Sequence, residues 1–256
     1  MVGTRMVVEV EPARHAPPAP RGELAVCLEG VAFHWSDRSR FVLRIEELSI
    51  RSGERLFIHG PSGSGKSTLL SLIGGVVTPH KGIVSVLGEN ISCLSGPHRD
   101  AFRADHIGFV FQLFNLIPYL SVVDNVTLPC AFSRQRRRKA NGAGQSPRGE
   151  AVRLLSRLSL ADEGLLARRA TDLSVGQQQR VAVARALIGS PEIVIADEPT
   201  SALDVDLQSA FLELLMNECR SRQTTLIFVS HDLRLGGLFD RALALSETGS
   251  AGFRQR

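Results

Sequence analysis

The chain has 256 residues, 43% of them apolar, enough for one large α/β domain or a core with a small subdomain. Its formal net charge is only +4, and no aromatic residues interleave with its basic cluster Arg134, Arg136, Arg137, Arg138 and Lys139, which argues against a nucleic-acid surface. No run of about 18 apolar residues exists to span a membrane, and four dispersed cysteines without a C-x-x-C pair argue against a zinc site or a disulfide framework and suit a reducing compartment.

Residues 1–22 lack an apolar segment of signal-peptide length, and Ala13-Arg14-His15-Ala16-Pro17-Pro18-Ala19-Pro20 reads as part of a disordered leader. Residues 24–32 and 41–50 are rich in apolar and β-branched side chains, with Ser36-Asp37-Arg38-Ser39 as a turn, and predict an antiparallel hairpin. Residues 55–59 predict a short buried strand. It runs into Gly60-Pro61-Ser62-Gly63-Ser64-Gly65-Lys66-Ser67-Thr68, which fits G-x-x-x-x-G-K-[ST] at every fixed position, and then into the apolar helix start Leu69-Leu70-Ser71-Leu72-Ile73. Strand, loop and helix in that order make a phosphate cradle. The glycines let backbone amides turn inward, and the helix adds its positive end. Lys66 then neutralises β- and γ-phosphates, and the Ser67 hydroxyl reaches Mg²⁺. The chain is expected to bind a nucleoside triphosphate.

Residues 82–87 and 106–111 predict further strands. Residues 112–171 predict an inserted helical subdomain, with helices near 122–126 and 151–160. Within it, residues 133–149 read as a flexible basic loop, with Arg134, Arg136, Arg137, Arg138 and Lys139 close together. A solvated loop is the plain reading; acidic lipid headgroups or a protein partner are the alternatives. Helices at 176–188 and 206–219 then alternate with strands at 192–196, 224–230 and 241–245, which implies a mostly parallel sheet.

Two more segments carry chemistry. The apolar strand Ile193-Val194-Ile195-Ala196 ends in Asp197-Glu198. Beside a phosphate loop, Asp197 would hold the Mg²⁺ shell, and Glu198 would polarise an attacking water. Leu173-Ser174-Val175-Gly176-Gln177 places a Ser cap and a Gly at a helix start, a second phosphate-binding end. Since the chain already has one phosphate loop, this end points to the nucleotide of a second subunit.

These motifs, with Gln112, Ser201-Ala202-Leu203-Asp204 and Ser230-His231-Asp232, stand in the order of an ABC-type ATPase, which the chain resembles over residues 24–245. The resemblance implies an α/β phosphate-loop NTPase core with a mostly parallel sheet, an N-terminal antiparallel β subdomain and the inserted helical subdomain, all within residues 23–256. It also implies a head-to-tail homodimer that sandwiches two ATP molecules with Mg²⁺ and couples to membrane permease subunits. By the same resemblance, Trp35 stacks on adenine, although Phe33 is a nearby competitor and a core role is an alternative. Gln112 touches Mg²⁺ and the attacking water. Ser174, Gly176 and Gln177 contact the partner's ATP, Asp204 ties the two sites together, and His231 meets the γ-phosphate. Val175 departs from the usual Gly and would stiffen that loop, bearing on turnover.

The runs 69–75, 106–112, 114–121 and 124–126 are similar to the branch serving lipoprotein release, macrolide-type efflux and division-linked permeases, the LolD/MacB/FtsE group. Asp124 and Ser201-Ala202 depart from its pattern. The resemblance implies a peripheral ATPase at the cytoplasmic face of the inner membrane that meets the membrane only through its permease and powers envelope export, release or efflux. The alternative is an ATPase that signals through a permease to an envelope enzyme without moving cargo. Soluble ABC proteins of DNA repair or translation need long coiled coils or tandem cassettes, and the chain has neither.

Overall fold

A computed structural model describes residues 5–9, 24–35, 42–142, 146–160, 162–201 and 205–248. The expected turn at Ser36–Ser39, most of the leader and Asp204 lie outside the described residues. The chain divides into two compact units, residues 1–99 with 231–256 and residues 100–230.

In the first unit the hairpin forms as its alternating apolar residues require. Strand β2 (Leu24–Phe33) pairs antiparallel with β3 (Val42–Arg51), Leu28 opposite Leu48 and Val31 opposite Ile45, all four side chains buried. Strand β5 (Lys81–Val86) adds to the other edge of β2, followed by the short β6 (Glu89–Asn90). The buried strand β4 (Arg55–His59) lies parallel to β10 (Arg241–Thr248). Helix α1 (Lys66–Ile73) follows β4 and buries Leu69, Leu70, Leu72 and Ile73. One element corrects the sequence reading. Residues 5–9, assigned above to a disordered leader, form β1 (Arg5–Glu9), parallel to β3 and antiparallel to β10. Met6, Val7 and Val8 favour a strand, and two neighbours supply the ladder that the short segment lacks alone.

The second unit holds three parallel strands, β7 (Ile107–Val110), β8 (Ile193–Asp197) and β9 (Thr225–Val229), with β8 between the other two. All five residues of β9 and the first four of β8 are buried, so both read as unbroken apolar runs. Helix α2 (Gly96–His106) precedes β7. It was not legible because it has no buried residues and opens on a Gly-Pro pair that also fits a turn. Helices α3 (Val122–Thr127), α4 (Pro129–Phe132), α5 (Arg134–Ala140), α6 (Pro147–Arg157) and α7 (Glu163–Leu166) fill the region expected to be helical. Helices α8 (Val175–Leu187) and α9 (Val205–Arg222) flank β8 in sequence.

Of the basic stretch 133–149, expected to be a flexible loop, residues Arg134–Ala140 form α5 and Pro147 begins α6, while residues 143–145 lie outside the described residues. Ser133 caps α5 by accepting from the Arg136 amide, and its hydroxyl donates to Asp105. Arg136 is 3% exposed and donates to the carbonyls of Ile188 (2.8 Å) and Ala186 (2.5 Å), the last carbonyls of α8. A helix end needs such donors, and one of the five basic side chains turns inward to supply them. Burial pushes the Arg136 guanidinium down to about 10, so it stays charged at neutral pH. Arg136→Ala leaves two carbonyls without their donor and should cost about 2–4 kcal/mol in urea unfolding, while Arg134→Ala, exposed on the same helix, should change stability by less than about 0.5 kcal/mol.

Lys139 of α5 also reaches Glu192 at 2.6 Å, and His106 of α2 meets the same carboxylate at 3.0 Å. Burial pushes the Glu192 carboxyl up, but these two donors outweigh it and hold it at about 2, below the ordinary 4.5. A lowered carboxylate stabilises the fold above its unfolded pKa and loses that contribution as pH falls through the folded one. The wild type should therefore lose stability between pH 4.5 and about 2. Denaturant midpoints across that range should fall less steeply for Glu192→Gln.

Candidate nucleotide site

The phosphate loop leaves β4 through Gly60. A β-carbon there would lie 2.4 Å from the Leu245 carbonyl oxygen of β10 and 2.7 Å from Ser64 Oγ, so only glycine fits this approach. Gly63 (φ 79°) and Gly65 (φ 86°) take left-handed conformations that turn the chain back on itself. Gly65 is the N-cap of α1 and offers no side chain to cap it, so the helix directs its positive end into the loop without a side-chain cap. Lys66 is 6% exposed, and its Nζ lies 2.9 Å from the carbonyls of both Gly60 and Pro61. The ammonium is thereby seated inside the loop. Ser64 is fully buried and its Oγ has no hydrogen-bond partner, an orphaned polar group in a concavity built for anions. Ser62 and Ser67 are exposed on the loop, and Thr68 is buried beneath it. These residues fit a polyphosphate.

Trp35 joins this group. Its indole N–H donates to Thr68 Oγ1 at 3.2 Å, and its ring meets Phe33 edge-on at 5.1 Å. Phe33 is 5% exposed and Trp35 60%, so Trp35 alone of the two presents a face to a base. His231, also in the first unit, is exposed. The next residue, Asp232, accepts from the Arg234 amide and guanidinium, which holds its carboxyl below the usual range and fixes the chain just past His231.

In the second unit Asp197 ends β8, opposite Val229 of β9. Glu198 turns into the left-handed region (φ 47°) while its amide donates to the Val229 carbonyl at 3.0 Å. A non-glycine residue held there carries about 1–2 kcal/mol of strain. Two buried glutamines brace the following turn: Gln179 Nε2 donates to the Pro199 carbonyl (2.6 Å), and Gln208 Nε2 to Thr200 Oγ1 (3.0 Å). The sequence reading missed both. Gln179 stood in the sequence as the last of three consecutive glutamines, with nothing to set it apart from Gln177 and Gln178. Gln112 is exposed two residues past β7, whose Val110 pairs with Ala196, so it lies on the same sheet edge as Asp197 and Glu198.

Ser174, Gly176 and Gln177 sit on a separate element, the start of α8. Ser174 Oγ accepts from the Gln177 amide (3.3 Å) and Gln177 Oε1 from the Ser174 amide (2.9 Å), a reciprocal cap. Gly176 faces open space. Val175 is the first residue of the helix and half-exposed. The stiffness expected of a β-branched residue thus falls on a turn that is already helical.

A glycine-bent loop with a buried lysine between strand and helix, and a buried strand closing in paired acids, define a phosphate-loop nucleotide-binding protein of the α/β class. More narrowly, the chain belongs to the ABC transporter family, whose pattern matches residues 43–201. It is 39% identical over 199 residues to the lipoprotein-releasing system ATP-binding protein LolD of Psychrobacter arcticus, covering 78% of this chain and 84% of that one. It is 42% identical over 192 residues to the ABC transporter ATP-binding protein YtrE of Bacillus subtilis (75% and 79%). It is 41% identical over 211 residues to the macrolide export ATP-binding/permease protein MacB of Escherichia coli, with 82% of this chain but only 31% of MacB covered. The chain therefore spans about a third of MacB's length. Among solved structures, a dimeric post-hydrolysis state of the ATP-binding cassette MJ0796 bound to ADP and Pi superimposes with TM-score 0.72 at 33% identity, covering 89% of this chain and all of that one.

Lys66→Ala removes the one cation seated in the loop. ATP affinity in calorimetric titration should fall at least about 100-fold, the equivalent of roughly 3 kcal/mol of charged hydrogen bonding, beyond any loss of stability from leaving the Gly60 and Pro61 carbonyls without their donor.

Proposed function

We propose that the chain is the ATP-hydrolysing subunit of an ABC transporter, working as a homodimer beneath membrane permease subunits. The observation that carries the reading is the phosphate loop with Lys66 held inside it. In this reading the loop amides and Lys66 bind the β- and γ-phosphates, Thr68 and Ser64 line the cradle, and Trp35 stacks on the base. Ser67, Gln112 and Asp197 are the residues that would hold Mg²⁺, which when bound offsets charge on the transferring phosphoryl group. Glu198 takes the proton of the attacking water, Gln112 orients that water, and His231 donates to a γ-phosphate oxygen. Ser174, Gly176 and Gln177 serve the partner subunit's nucleotide. Gly176 has the open approach this needs, and the start of α8 has the helix polarity. Asp204 communicates between the two sites.

The permease has a fitting surface in the second unit. A cleft of about 300 Å³ is lined by Ile107, Phe109, Phe111, Phe132, Arg103 and Arg185. Phe132 is 76% exposed, and nearby in sequence to Gln112 so are Leu113 (82%) and Tyr119 (73%). Exposed aromatic and aliphatic side chains beside arginines are what a buried protein interface uses. Kinship with LolD and MacB supports export or release across the envelope, at the cytoplasmic face of the inner membrane. No described helix is long and apolar enough to cross a membrane, so in this reading membrane attachment comes through the permease.

Glu198→Gln tests the reading. It should leave ATP affinity intact and slow hydrolysis by about 10²–10⁴. An ATP-bound dimer should accumulate, resolved by size-exclusion chromatography with light scattering. Hydrolysis at the wild-type rate would remove Glu198 from the role of base.

A further inference from the structure

Gln112 stands at the head of a tight bend, closed locally by the Phe114 amide donating to the Phe111 carbonyl (3.0 Å) and the Asn115 amide donating to the Leu113 carbonyl (2.6 Å). Phe114 (φ 58°) and Asn115 (φ 48°) are consecutive left-handed residues, neither of them glycine. Asparagine tolerates this conformation, whereas phenylalanine takes it only under constraint. Such a bend persists only when its surroundings over-determine it. The Phe114 ring is buried (6% exposed), which fixes one side of it. The other side is held by Arg185, in the last turns of α8. Its Nη1 donates to the Asn115 carbonyl at 2.6 Å and its Nη2 to the Phe114 carbonyl at 2.5 Å. Burial pushes this guanidinium's pKa down, and among the described residues no carboxylate forms an ion pair with it. A cation that is costly to bury is thus satisfied by two carbonyls of one strained turn.

The helix that carries Arg185 is the one that begins with Ser174 and Gly176. A rigid α-helix transmits a displacement of its start to its end. We propose that Arg185 is a positioning residue for Gln112: its fork clamps the Phe114–Asn115 bend to α8, so that the placement of Gln112 depends on the placement of the helix that meets the partner's nucleotide. The proposal rests on the roles given above to Gln112 and to the start of α8. It adds a second function to a side chain that also lines the permease cleft.

The test uses the full-length chain with Arg185→Met, and Arg185→Lys as the milder variant should the first fail to fold. In nucleotide-free protein, amides 113–117 should exchange with solvent at least about 10-fold faster in the variant, while those of α8 keep their protection. ATP affinity should stay within about twofold, kcat should drop about 10-fold or more, and KM should hold. Arg185→Met combined with Gln112→Ala should be no slower than Gln112→Ala alone, since both act through one group. Asn115→Gly, which relieves the left-handed strain, should restore part of kcat to Arg185→Met. Unchanged exchange at 113–117, or kcat losses that multiply in the double variant, would overturn the clamp. A wild-type chain that hydrolyses no ATP would overturn the ATPase reading instead, and the exchange measurement would still decide whether Arg185 holds the bend.

Discussion

The ammonium of Lys66, resting on the carbonyls of Gly60 and Pro61, is the interaction around which the first unit is arranged. The first of them belongs to Gly60, which passes the backbone of β10 too closely for any side chain. That in turn requires β10 to lie parallel beside β4, which brings the far end of the chain next to the loop. The amides face the same space because Gly63 and Gly65 reverse the backbone in the left-handed region. Sequence-distant pieces are therefore fixed by one short-range requirement, that a cation and a ring of donors share a concavity.

The second unit meets a different requirement. Its catalytic candidates sit on backbone that is locally unfavourable, at Glu198 and just after Gln112. In both places, long polar side chains from α8 reach carbonyls of the turn: Gln179 to Pro199 and Arg185 to Phe114 and Asn115. Strain at the sheet edge is thus held by the hydrogen-bonding capacity of one helix. Several further charges of this unit are committed to ion pairs as well. Arg222 spans Glu150 of α6 and Glu218 on its own helix, Arg157 meets Glu218, and Glu192 gathers His106 and Lys139.

That commitment explains what could be read from the sequence and what could not. Elements defined by apolar periodicity, such as β2, β3, β4, β8, β9 and α8, were legible because burial alone selects them. The phosphate loop was legible because its chemistry needs fixed residue types at fixed spacing. Helix α5 was not, because a run of arginines looks solvated until it is known that Arg136 points inward at a helix end fifty residues away in sequence. Strand β1 escaped because its pairing partners β3 and β10 lie at opposite ends of the chain. Gln179 and Arg185 were hidden for the same reason: their partners are backbone carbonyls, which leave no mark in a sequence. Asp204 lies outside the described residues, so its role stands on resemblance alone.

The chain contains one tryptophan and one tyrosine. The tryptophan is the ring that donates to Thr68 at the edge of the phosphate loop. Excited at the red edge, where tyrosine does not absorb, its emission therefore comes from a single indole whose hydrogen bond and solvent exposure are set at one place. A base laid against that indole would change its polarity and quench it by stacking, with no second tryptophan to dilute the signal. With the base stacked on Trp35 as proposed, the protein would carry its own optical reporter for nucleotide occupancy, with no label needed to follow it.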